Sequence, residues 1–308
     1  MVEPTKIDQL SHHFRMLAPL FLEKIEYHLV GKVLFFESPT HTYLAQIYES
    51  IHTKSQIQTD LELLRSFSNH GFDVPVPLIS KDGTSIETQI FLRPCAVFSR
   101  QRQDFLPLST TDISRMSTQL AEMEKIAAQK HPHPRGKKID ALFTMFELLF
   151  QEEEEVEETL ISEYFAFKSA YIELLNSTQE SCLGFFPGSD RFYLSKEGSL
   201  GFTHRSFVYD HPRLFGFAQF ILSTCFNDDG SMNYEKLDSA TSSYAIESSL
   251  AASVWELFDL TLKTAAFFEV LCHWLATVYQ PHLKHIDELI AARMKQKHLK
   301  TLKLKEIR

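Results

Sequence analysis

What most constrains this chain is a change of apolar period near residue 107. Before it, "KVLFFES" (32–38), "HTYLAQIYES" (41–50) and "TQIFLRPCAVFS" (88–99) are short runs rich in Val, Phe, Tyr and Ile. Each is bounded by Gly, Pro, Ser or Thr, so all three read as strands. One helix interrupts them: in "SQIQTDLELLRSFSNHG" (55–71), Ile57, Leu61, Leu64 and Phe67 recur three or four apart, with Gly71 at the stop. "DVPVP" (73–77) forces extended chain, because each proline drives the residue before it out of the helical region, and "SKDGT" (80–84) is a turn able to join two strands.

Beyond residue 107 the period is helical. "STTDISRMSTQLAEMEKIAAQ" (109–129) opens on capping residues and aligns Ile113, Met116, Leu120, Met123 and Ile126 on one face. "HPHPRGKK" (131–138) reads as a loop, and 139–177 as further helix around the acidic run "QEEEEVEE" (151–158). "RLFGFAQFILSTCF" (213–226) is a buried helix, "NDDGSMN" (227–233) a turn, and 233–288 two or three more helices. The expected fold is therefore α+β in two lobes. Residues 1–98 form a small N-terminal lobe of antiparallel sheet plus one helix, 99–290 a larger helical lobe, and 291–308 a basic tail. Clefts between two such lobes are where ligands bind.

Composition excludes some functions. With 31 Lys and Arg against 40 Asp and Glu, net charge is −9, which disfavours nucleic acid, since affinity for phosphates rests on excess cations. No run approaches the roughly 18–20 apolar residues needed to span a bilayer, and the first residues lack a signal-type apolar core, so a cytoplasmic protein is expected. Cys95, Cys182, Cys225 and Cys272 are widely spaced and lie on or beside apolar runs; they read as buried, reduced thiols. His282 and His285, three apart, lack a third ligand, so no metal site is assigned. A Ser189–His204–Asp210 triad lacks the strand–elbow–helix setting such nucleophiles need.

The stretch "LGFFPGSDRFYLSKEGSLGFTHRSFVYDHPRLFGFA" (183–218) has the turn–strand–turn–strand–helix rhythm of a catalytic segment. The order strand, strand, helix, "GFDVPVPLISKDGT", strand, "DISRMSTQLAEMEKIA", followed by "GFTHRSFVYDHPRLFGFAQFILSTCFNDDGSMNYEKLDSATSSY", resembles the aminoglycoside-phosphotransferase-like kinases of protein-kinase-like fold. Within them it most resembles the bacterial homoserine kinase branch. The resemblance implies a "H-G-D-x-x-x-x-N" loop whose aspartate orients the attacking hydroxyl, then a metal-binding aspartate opening "D-F". In one register Pro187 and Ser189 stand for the histidine and aspartate of that loop. In an ungapped register Phe186 takes the aspartate position and Arg191 the asparagine, and Asp190 is the one nearby carboxylate. The metal-binding aspartate falls on His204, a poor oxygen-anion substitute on Mg²⁺, and a supporting aspartate becomes Gly216. Gln46 occupies or neighbours the strand position where wider relatives carry a lysine, and Lys32, Lys54 and Gly31 mark the phosphate side.

The resemblance thus implies Ser189, Asp190 and His204 at degenerate catalytic positions, and Gln46, Lys32 and Arg191 at cofactor-side positions. The expected function is a catalytically degenerate small-molecule-kinase fold that binds a metabolite or a protein partner, with no cofactor. The alternative is an active ATP-dependent phosphotransferase using ATP and Mg²⁺, with Asp190 or Asp210 in displaced roles. A third is a structural protein whose cleft is filled by Phe185, Phe186 and Phe207.

Overall fold

The structure, a computed structural model of the 308-residue chain, describes residues 4–17, 20–28, 31–39, 41–48, 53–100, 108–130, 137–152, 156, 158–178, 180–181, 192–202, 211–279 and 285–302. It divides into two compact units, residues 1–105 with 201–204, and residues 106–200 with 205–308. The division falls a few residues beyond position 98.

The first unit is a five-stranded antiparallel sheet with two helices. In chain order it contains α1 (Pro4–Phe14), β1 (Phe21–His28), β2 (Gly31–Glu37), β3 (Thr42–Tyr48), α2 (Lys54–Asn69), β4 (Val76–Pro77) and β5 (Cys95–Arg100), with strand order β1-β2-β3-β5-β4. Strand alternation sends successive side chains to opposite faces. Leu34, Phe36, Ala45, Ile47, Cys95 and Val97 pack with Leu10 and Phe14 of α1 in one apolar cluster. Thr53 and Gln56 close a reciprocal capping box that starts α2. Gly71, at φ +89°, follows its end.

Three features of this unit differ from expectation, each for a physical reason. Strand β1, "FLEKIEYH", carries Glu23, Lys24 and Glu26 and so lacks a strand-like apolar count. It lies at the sheet edge, where charges are tolerated because they discourage further pairing. Helix α1 has only Leu10 and Phe14 fully buried, which left its apolar stripe short. The run 88–99 is a strand only from Cys95: Leu92 sits at φ +56° and Pro94 has no N–H to give a ladder. The "SKDGT" turn is present, with Ser80 N–H donating to Thr84 O at 2.7 Å.

The second unit contains α3 (Thr110–Lys130), α4 (Lys137–Glu152), α5 (Glu158–Ser177), β6 (Glu180–Ser181), β7 (Phe192–Leu194), β8 (Leu200–Phe202), β9 (His211–Pro212), α6 (Phe215–Thr224), α7 (Tyr234–Ser248), α8 (Ala252–Trp255), α9 (Phe258–Tyr279) and α10 (His285–Thr301). The last two residues of β8 belong with the first unit, where Gly201 bridges Asp73. Ile113, Met116, Leu120 and Met123 of α3 are fully buried as their spacing requires, and Ile126 is half-buried. Two local expectations change. Lys137 and Lys138, read as loop, begin α4, and the basic stretch from Arg293 is helix through Thr301, held by Lys295 Nζ to Glu269 at 2.9 Å. Cys95, Cys225 and Cys272 are buried free thiols, and Cys182 lies outside the described residues.

Candidate active site

Ser189, Asp190, Arg191 and His204 lie outside the described residues, as do Phe185, Phe186, Pro187, Phe207 and Asp210. Their surroundings are described on either side. Ser181 pairs with His211 and Glu180 with Pro212, so the chain leaves at β6 and returns beside it at β9. His211 stacks on Phe215 with ring centroids 4.4 Å apart, and its Nδ1 lies 2.7 Å from the Tyr171 hydroxyl on α5. Burial holds this imidazole neutral, with its pKa pushed down from 6.5 to about 3.

The start of α6 is unusual. Its N-cap, Leu214, is left-handed at φ +69° and offers no side-chain cap to the helix. Gly216, in the first turn, is buried and brings no carboxylate to a position where acidic groups are well placed against the helix dipole. Beneath it sits a buried polar cluster. Tyr244 of α7 donates to Glu124 of α3, and an Arg213 guanidinium nitrogen lies 3.8 Å from the same carboxylate. Burial, then the Glu124 charge, raises the Tyr244 pKa well above its usual value.

In the first unit, Gln46 of β3 is paired in register with Val33 and Ala96, and so shares their face of the sheet. It is 1% exposed; Nε2 donates to the Ile47 carbonyl at 3.3 Å, while Oε1 meets no donor among the described residues. Lys32 pairs with Ile47, so alternation places it on the opposite face from Gln46; the structure does not bring the two together. Gly31 opens β2 at φ +133°, a conformation that favours glycine. Lys54 is the first residue of α2 and is exposed.

Two groups here were not singled out from the sequence. Asp60, 7% exposed, lies on the apolar stripe of α2 and raises the pKa of buried Tyr48, after burial itself. Glu124 does the same on α3 toward Tyr244. Both had a signal: a carboxylate one helical step from core residues, Asp60 between Ile57 and Leu64, Glu124 between Leu120 and Ala127.

Neither the sequence profiles of known families nor the curated protein sequences match this chain. Solved structures do. Amicoumacin kinase hAmiN, in complex with AMP-PNP, Ca²⁺ and Ami, aligns over 99% of this chain and 96% of its own, at 11% identity with a TM-score of 0.67. A microcompartment-associated aminopropanol kinase aligns over 96% and 95%, at 12% identity and TM-score 0.57. Choline kinase LicA from Streptococcus pneumoniae aligns over 97% and 100%, at 12% identity and TM-score 0.55. The chain has the protein-kinase-like fold of the small-molecule kinases. It has the antiparallel sheet first and the mainly helical region after, as that fold requires. Among its described residues, no helix is long and apolar enough to cross a membrane.

On β3, the Gln46 amide is a neutral donor already engaged by the Ile47 carbonyl. Among the described residues, no three His, Cys, Asp or Glu side chains stand close enough to hold a metal.

Proposed function

We propose that this chain is a catalytically degenerate small-molecule-kinase fold, related to the homoserine kinase branch, that works in the cytoplasm by binding a metabolite or a protein partner. The observation that carries the reading is the set of substitutions in its sequence: Ser189, His204 and Gly216 at positions where the resembled family has aspartates, with Gln46 in place of a lysine. Phosphoryl transfer depends on charge management more than on covalent chemistry. Losing a base, a metal ligand and a cation together removes several factors of roughly 10² or more in rate. The buried position of Gln46, its amide tied to the backbone, supports the same conclusion.

A second reading is favoured by the likeness to amicoumacin kinase hAmiN over nearly the whole of both chains. In it the chain is an active phosphotransferase with an alcohol acceptor, using ATP and Mg²⁺, with Asp190 or Asp210 as the displaced carboxylate.

A thermal-shift screen with ATP, ADP, homoserine and related amino alcohols, with and without Mg²⁺ or Mn²⁺, separates the two. A ligand that binds only the native state at about a hundred times its Kd adds roughly 2.7 kcal/mol of stability. A metabolite shift that needs no nucleotide, with no phosphate transfer to homoserine, is expected. Magnesium-dependent nucleotide stabilisation with turnover at an ordinary kinase rate overturns the proposal.

A further inference from the structure

We propose that a groove on the second unit, formed by α5, α9 and α10, binds a small amphipathic anion: a carboxylate carrying an aliphatic or aryl body. The groove has a volume of about 470 Å³ and is lined by Leu160, Trp274, Leu289, Ile290, Arg293, Met294 and Lys297. That volume lies within the range of roughly 300–1,000 Å³ typical of small-molecule sites, which suits a small ligand better than a protein segment.

The lining has two kinds of chemistry and no third. Five of the seven side chains are apolar. Leu160 is 3% exposed, and the Trp274 ring is held 5.3 Å from that of Phe150. Ile290 and Met294, one helical turn apart, remain 52% and 41% exposed, and Ile286 extends the same stripe at 59%. Leaving a contiguous stripe of large apolar side chains in water is unfavourable in proportion to its area, and such stripes mark binding surfaces.

The other two lining residues are both cations, and they decide the sign of the ligand. Of four cations on this stretch of α10, Arg293, Lys295, Lys297 and Lys300, three meet two carboxylates. Glu163 is shared by Arg293 and Lys300, and Glu269 is taken by Lys295 at 2.9 Å. Arg293 also donates to Gln296 at 2.9 Å, which fixes its guanidinium at the groove edge. Lys297, one turn beyond Arg293, pairs with no carboxylate among the described residues. Both charged side chains of the lining are thus cations, and the Lys297 ammonium stands beside an open apolar floor. An apolar body on Trp274 and Leu160 with a carboxylate at Lys297 satisfies both.

This groove is separate from the β6–β9 pair. Leu160 lies in the first turn of α5, whereas β6 follows the last turn, about 25 Å along the helix axis. The proposal does not depend on the reading of the 183–218 segment or on catalytic competence.

The probe is decanoate, with decanol and decyltrimethylammonium at equal concentration as neutral and cationic counterparts, read by emission of Trp274 in a Trp255→Phe background and by calorimetry. Saturable decanoate binding is expected, at least tenfold tighter than decanol, with no saturation by the cation. Lys297→Glu should weaken decanoate at least tenfold and leave decanol unchanged, and Ile290→Asp should weaken both. Both positions are exposed, so the variants should melt within a degree or two of the parent; Lys297→Met, which keeps most of the stem, repeats the charge test. Equal binding of all three probes, or decanoate binding indifferent to Lys297→Glu and Lys297→Met, overturns the proposal.

Discussion

The Tyr171 hydroxyl and the Nδ1 of His211 lie 2.7 Å apart in the core of the second unit, where the imidazole is also stacked on Phe215. This pair fixes a neutral histidine at the point where the chain re-enters β9. Because burial lowers the His211 pKa from 6.5 to about 3, the unfolded chain binds a proton that the folded one refuses anywhere between those values. The stability involved is complete above pH 6.5 and is lost as pH falls toward 3. Urea unfolding should show a slope of up to about 1.4 kcal/mol per pH unit below pH 6 from this group. His211→Gln should flatten that slope; an unchanged pH profile would show that the imidazole is solvated.

The Glu124 carboxylate anchors α7 and the start of α6 to α3 through Tyr244 and Arg213. Its side chain is 1% exposed and that of Arg213 is 14%, so deleting either charge leaves the other in a low-dielectric setting. Glu124→Leu should cost about 3–5 kcal/mol of the second unit's stability, the penalty of breaking a buried pair. Tyr244→Phe, which removes one hydrogen bond, should cost about 1–3 kcal/mol. The double variant Glu124→Leu, Arg213→Met should recover part of the loss. Chemical denaturation of the three variants orders them, and a double variant worse than Glu124→Leu would show that the charges are not coupled.

Period and punctuation made the larger architecture legible: β2, α2 and α3 bury one face fully enough for spacing to reveal it, and β3, α6 and α9 are buried nearly all round and show as dense apolar runs. What escaped was whatever faces water or another element on a narrow front. Strand β1 pairs on one side only and carries three charges, and α1 buries two residues, so neither writes a strong period. The candidate site divides in the same way. Gln46 was legible because its strand was, while the pairing of Lys32 to the opposite face follows from a register that only the sheet itself sets. Asp60 and Glu124 interrupt apolar stripes, which reads as imperfect amphipathicity until a tyrosine is found against each.

The turn 227–233 should be intolerant of a side chain at Gly230. This residue has φ +77°, and an added Cβ would lie 2.7 Å from the Cβ of Met294 and 3.3 Å from its carbonyl carbon. Left-handed strain and overpacking each cost about 1–3 kcal/mol. Gly230→Ala should therefore destabilise the packing of α10 measurably in a thermal melt. Met294→Ala should not rescue it, because the clashing Cβ remains in alanine; rescue would mean that the thioether arm, not the helix itself, meets the turn.

Gln46 gives a test in which stability and ligand binding move in opposite directions. Its Nε2 has a backbone partner at 3.3 Å, but its Oε1 is buried without a donor among the described residues. An apolar side chain of similar length removes that burden while losing one long hydrogen bond, a change that is near neutral or stabilising by up to about 1 kcal/mol. Gln46→Met should melt at or slightly above the parent temperature. If the face that Gln46 shares with Val33 receives a nucleotide, the same variant should lose the nucleotide-dependent shift. Under the degenerate reading there is no such shift to lose, and Gln46→Lys should destabilise the sheet by burying a charge. A Gln46→Lys variant that melts like the parent and gains magnesium-dependent ATP stabilisation would show that the amide is the principal defect, and that the rest of the site is intact.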